Sequence, residues 1–174
     1  GDRIEVEGGV YDGPLYIDKP VALLGRNRPL LRSSGNGSVV RVRAADVVIE
    51  GFDVDGRGLG DLGRDTSGIH VAAPRVTVRD CRVRDSLFGI YLMGADGATV
   101  EGNVIDGIPG RPPGEIGSGI HLWNSHRFRV SGNTIAHTRD GFYIQSSTHG
   151  RVVGNRASDL RYGLHYMFSD DNVF

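Results

Sequence analysis

The sequence predicts an all-β chain wound as a right-handed parallel β-helix, a pectin-lyase-like solenoid of about seven rungs with about 22 residues each. Three observations predict it. Five segments open on Gly followed by apolar, polar or aromatic, and apolar residues, and their starts lie 21, 30, 22 and 22 residues apart. A second element recurs between these segments, its turn residue (Asp80, Gly102, Gly132 or Gly154) falling 12 or 13 residues after the start, and three of these copies contain Gly-Asn. Apolar residues alternate with period two inside these segments, and no 3.6-residue apolar stripe is sustained, so helix is excluded. A leucine-rich repeat shares the period, but its Leu-x-x-Leu-x-Leu scaffold is absent.

The elements follow in chain order. Weaker copies of the opening strand lie at Leu15-Tyr16-Ile17 and Val40-Arg41-Val42, and an early copy of the second element at Ile49-Glu50-Gly51-Phe52. The clear strands are Gly68-Ile69-His70-Val71, Gly89-Ile90-Tyr91-Leu92, Gly119-Ile120-His121-Leu122, Gly141-Phe142-Tyr143-Ile144 and Gly163-Leu164-His165-Tyr166. Between them come Val78-Arg79-Asp80-Cys81, Val100-Glu101-Gly102-Asn103, Val130-Ser131-Gly132-Asn133 and Val153-Gly154-Asn155. One such unit cannot bury a core alone; stacked units can. Glycine suits a turn with positive φ, and asparagine amides can hydrogen-bond along the stack. Cys81 occupies the asparagine column and reads as a small inward residue rather than a nucleophile. Asn36-Gly37-Ser38 matches a glycosylation sequon but reads more simply as a turn. Phe174 aligns with Val152, inside the next strand.

Composition agrees with a single domain over residues 1–174. The net charge is −1 and no basic, aromatic-interleaved patch is present, which excludes a nucleic-acid surface. The single cysteine excludes an intramolecular disulfide. No apolar run approaches the roughly 18 residues of a membrane span. Strand-like sequence is already running at Gly1-Asp2-Arg3, so a piece of a longer protein is expected.

The alternation predicts which side chains face out. The residue after each opening Gly and the next but one point inward: Ile69/Val71, Ile90/Leu92, Ile120/Leu122, Phe142/Ile144 and Leu164/Tyr166. The outer wall then carries two columns: Arg41, His70, Tyr91, His121, Tyr143, His165, and Arg43, Ala72, Met93, Trp123, Gln145, Met167. Two insertions, residues 56–66 and 109–117, precede the strands of His70 and His121 and flank this stripe. Such residues are common on an ordinary sheet face. Yet both methionines and the only tryptophan of the chain fall in one column. His165 and Met167 stand about 7 Å apart on one face, and an imidazole with a thioether is a soft pair suited to Cu(I). Met93, His121 and Trp123 form a second cluster, where the indole can add a cation–π contact. His126, His137 and His149 are expected at turns, and Asp170-Asp171-Asn172 reads as a solvated turn.

The stretch Gly119-Ile-His-Leu-Trp-Asn-Ser125, with Arg161-Tyr-Gly-Leu-His-Tyr-Met-Phe-Ser-Asp-Asp-Asn172, resembles the NosD family. So do the opening Gly1-Asp-Arg-Ile-Glu-Val-Glu-Gly-Gly-Val-Tyr11 and Leu87-Phe-Gly-Ile-Tyr-Leu92. The resemblance covers essentially the whole chain, although family members are about twice as long. It implies an exported, periplasmic, non-catalytic copper-handling scaffold that works in denitrification. The implied partners are an ABC permease and its ATPase, a small lipoprotein copper chaperone, and apo nitrous oxide reductase, to which copper is delivered. The implied cargo is copper as Cu(I), and the residues carried over are His121, Trp123, His165 and Met167.

Two other readings use the same wall. A polysaccharide lyase or uronate epimerase would take His165, Tyr143 and Arg161 as base, proton donor and neutralising cation. Tyr162-Gly163-Leu164-His165 echoes an epimerase signature, but the Asp-Pro-His expected after it is missing, as are a nearby lysine and a tight carboxylate pair. A non-catalytic glycan-binding module would stack sugars on Tyr91, Trp123 and Tyr143.

Overall fold

The computed structural model describes residues 1–35 and 37–174. Asn36, the first residue of the sequon, lies outside them. Three parallel sheets of seven strands each run the length of the molecule, and each rung contributes one strand to each sheet. The predicted seven rungs are therefore present, with three strands per rung. The third sheet carries the Gly-initiated strands: Leu15–Ile17, Val40–Val42, Ser67–Val71, Phe88–Met93, Ile120–Trp123, Asp140–Gln145 and Tyr162–Met167. Its register pairs Ile69 with Ile90, Ile90 with Ile120, Ile120 with Phe142 and Phe142 with Leu164.

Three inward columns meet in one buried apolar cluster. The first sheet supplies Ile49, Val78, Val100 and Val130, the second Val54, Val83, Ile105 and Ile135, and the third Val71, Leu92, Leu122 and Ile144. Each fully buried side chain of this kind contributes about 1.5–3 kcal/mol. Leu164 and Tyr166 keep the predicted inward direction but are more than a third exposed. They belong to the last of the seven strands in their sheet, which has a neighbour on one side only.

The turn between the first and second sheets is the Gly-Asn turn. Gly102, Gly132 and Gly154 adopt φ of 65–66°, and Asp80 reaches 52° at the same place in its rung. Behind it runs the amide ladder: Cys81 N donates to Asn103 Oδ1 at 3.0 Å, Asn103 N to Asn133 Oδ1 at 2.9 Å, and Asn133 N to Asn155 Oδ1 at 2.9 Å. The side-chain amides of Asn103 and Asn133 also donate to the next asparagine. Cys81 caps this ladder in the core, and burial pushes its thiol up to about 11, which makes it a packing residue. A second ladder follows the third sheet: Ala95 N donates to Ser125 Oγ, Ser125 N to Ser147 Oγ and Ser147 N to Ser169 Oγ, each at 3.0 Å.

Both insertions emerge between the second and third sheets. Each contains one short 3-10 turn, Leu62–Arg64 and Pro113–Glu115. One rung without an insertion separates them, yet they touch: Arg111 donates to the carbonyl of Gly58 at 3.3 Å. Together they roof part of the outer wall with a second apolar cluster, in which Leu87, Phe88, Tyr91 and Ile116 are buried and Leu62, Met93 and Ile108 pack against them.

Candidate functional site

The parallel register aligns the predicted outward column residue by residue, Arg41, His70, Tyr91, His121, Tyr143 and His165, and adds Tyr16 before Arg41. Strand spacing of about 4.8 Å suits face-to-face ring stacking, so the backbone ladder imposes a π-stack. Ring centroids lie 5.3 Å apart for His70 and Tyr91, 4.4 Å for Tyr91 and His121, and 4.5 Å for His121 and Tyr143. Tyr143 and His165 are 4.6 Å apart but tilted by 55°. Tyr16, on the outer face of the weakest repeat, extends the column and receives the Arg43 guanidinium 5.6 Å above its ring.

Outward does not mean exposed along this column. Tyr91 and His121 are buried, because Phe88 meets both rings edge-on at 5.3 and 5.4 Å and the insertions cover them. Burial, helped by the charges of Arg41 and Arg43, lowers the His70 pKa to about 4. Burial also lowers His121 to about 4, with the Arg139 charge adding to it and Asp140 opposing. Burial raises Tyr91 to about 12. The middle of the stack is therefore neutral. The Nδ1 atom of His121 is buried and has no hydrogen-bond partner among the described residues.

The other predicted column lies beside it: Met93 pairs with Trp123, Trp123 with Gln145 and Gln145 with Met167. Trp123 is 40% exposed, and Met93 and Met167 are half-buried. The five residues singled out from sequence thus share one wall in two environments. His121 is enclosed between Tyr91 and Tyr143 and lies under the roof with Met93 at its rim, whereas Trp123, His165 and Met167 reach solvent. His165 and Met167 stand on one strand with a shared neighbour, Tyr143, whose hydroxyl donates to Met167 Sδ at 3.0 Å. Among the described residues no group of three or more His, Cys, Asp or Glu is placed to hold a metal ion.

Sequence reasoning missed Asp140. This carboxylate is completely buried beside His165, and Arg161 grips it with Nε at 3.0 Å and Nη2 at 2.9 Å. Burial alone would raise its pKa, but the hydrogen bonds and charge of Arg161, with help from His165 and Arg139, hold it below the ordinary value. The available signal was an acid directly before the Gly of a strand, where other rungs place Ser67, Ser118 and Tyr162. Of the turn histidines, His126 shares a hydrogen bond with Thr148, and His137 meets Asp106 of the preceding rung at 2.6 Å. Asn172 continues the ladder pattern by accepting from Gly150 N and donating to Ser147 O.

Comparison with known proteins places this geometry. Residues 34–174 match the model of the right-handed β-helix region. "Probable ABC transporter binding protein NosD" of Stutzerimonas stutzeri is 35% identical over 142 residues, which is 80% of this chain and 32% of that protein. The protein of the same name from Pseudomonas aeruginosa is 34% identical over 143 residues, 80% of this chain and 33% of its own length. The chain thus spans about a third of these relatives, which are longer than the twofold length expected from the resemblance. A crystal structure from Parabacteroides merdae, described as a glycosyl hydrolase, superposes with a TM-score of 0.50 at 13% identity, covering 97% of this chain and 82% of that one. That likeness concerns the fold alone.

Proposed function

The chain belongs to the right-handed β-helix family and is of the NosD type, and from that premise we propose that it is part of a periplasmic, non-catalytic scaffold that carries copper as cargo toward apo nitrous oxide reductase. The observation that carries the reading is the exposed end of the outer wall, where His165 and Met167 lie on one strand beside the Tyr143 hydroxyl. An imidazole nitrogen and a thioether sulfur are soft donors that fit Cu(I) better than hard cations. Trp123 and Met93 lie in the same outward column as Met167. The relatives are named as ABC transporter binding proteins, which supports an ABC permease with its ATPase as partners; a lipoprotein that supplies copper belongs to the same proposal without support from those names.

An acidic-polysaccharide enzyme on the same wall would need Arg161 free to meet a substrate carboxylate. Arg161 is instead committed to Asp140, and Tyr143 donates to Met167. The test is anaerobic Cu(I) titration against a competing chelator, with His165→Ala and Met167→Ala alongside. One ion bound, with affinity falling more than about tenfold in each variant (about 1.4 kcal/mol), supports the reading. Equal affinity in all three proteins, or none in the parent, removes copper from this wall.

A further inference from the structure

A buried charge on a rung that is otherwise built like its neighbours needs a reason. Taking a carboxylate out of water costs several kcal/mol unless partners compensate. The neighbouring strands hold Ser118 and Tyr162 at the level of Asp140, and neither brings a carboxylate. The partners of Asp140 are specific. Arg161 takes both oxygens, Arg139 approaches Oδ2 at 3.4 Å, and His165 Nδ1 lies 3.4 Å from the same Oδ2. Arg161 Nη2 also comes within 3.4 Å of His165 Nδ1. A guanidinium can only donate, and its nearer acceptor is Oδ2 at 2.9 Å. The second proton of Nη2 could also reach Nδ1, but the carboxylate oxygen can only accept, and a bare Nδ1 would face it lone pair to lone pair at 3.4 Å; the attractive arrangement puts the imidazole proton on Nδ1, directed at the carboxylate.

We infer that Asp140, clamped by Arg161, is a positioning residue that fixes His165 in the Nδ1–H tautomer and turns the Nε2 lone pair to the outer wall beside Met167. A carboxylate on the distal nitrogen of a ligating histidine orients the ring and raises its basicity, and losing one typically weakens metal affinity about 10–100-fold. The inference rests on the copper reading only for what meets Nε2; the tautomer belongs to the metal-free protein.

The experiment is a two-bond ¹H–¹⁵N correlation of the histidine rings in the metal-free chain, at a pH where imidazole is neutral, for the parent and Asp140→Asn. The parent is expected to show His165 protonated at Nδ1, and the variant a shift toward Nε2–H. A parent with Nε2–H overturns the inference even if the variant fails to fold. So does an unchanged tautomer in a folded variant. Cu(I) competition on the same samples separates the two readings. The expected tautomer shift in a parent that binds no copper leaves the inference standing and removes the copper reading. Copper bound equally by both proteins despite the shift overturns the positioning role.

Discussion

His121 shows how one side chain can be read correctly for place and incorrectly for surroundings. The period-two rule puts it on the outer wall, and it is there. What closes over it comes from Phe88 on the preceding rung and from the insertion at 109–117, and no local pattern announces that contact. Asp140 went unread because Arg161 and His165, which hold it, stand one rung later. The burial of His121 has a pH consequence. Its pKa falls from 6.5 in the unfolded chain to about 4, so between those values the unfolded chain binds the extra proton. Stability from this group is fully present above about pH 6.5 and is lost as pH falls toward 4, amounting to about 3 kcal/mol. His121→Phe keeps the ring sandwich and removes the proton site. Urea unfolding near neutral pH and again near pH 4 should show the parent losing about 3 kcal/mol more than the variant. Equal losses would mean that His121 is not held neutral.

At the level of elements, turns do as much as strands to fix the rung. The asparagine ladder was legible because Gly-Asn repeats as a visible pair. The parallel serine ladder of Ser125, Ser147 and Ser169 was not, although its members are also 22 residues apart. Serine is too common in turns for its recurrence to stand out. The amide ladder is the more demanding of the two. Asn133 accepts from both the backbone and the side chain of Asn103 and donates to Val100 O and Asn155 Oδ1. Asn133→Ala would leave buried donors on Asn103 without an acceptor, at about 1–3 kcal/mol for each such group. The midpoint of denaturant unfolding should fall accordingly, and by more than for Asn155→Ala, since Asn155 is half-buried. Similar shifts in both variants would show that the ladder does not distribute its load this way. Charge also repeats by rung. On the second sheet Asp12, Arg32, Asp55, Arg84 and Asp106 form one column of alternating sign. Each exposed pair there contributes little, but like charges directly opposite are avoided, which favours the native register.

For the whole molecule, the number of rungs and the direction of the strands were legible because a solenoid writes its architecture once per repeat. The contact between the two insertions was not, because it depends on the path of loops rather than on period. A stack also has two ends. Leu164, Tyr166 and Phe174 are exposed at one, and Ile4, Val10 and Tyr11 at the other, next to unpaired strand edges. Such ends template head-to-tail pairing, which does not close. Sedimentation of this 174-residue chain should therefore show association that grows with concentration, and Leu164→Asp with Phe174→Asp should suppress it. A monomer at every concentration would show that the ends are adequately protected. The insertions touch through Arg111 and Gly58 across one intervening rung. Their separation can change only in whole steps of about 4.8 Å, so the solenoid behaves as a graduated rule with the two loops as its jaws. Deleting the plain rung would bring the jaws together and take Phe88 and Tyr91 away from the roof over His121. Adding one would part them and open the ring stack to water, so the number of rungs between the loops is itself a setting of the site.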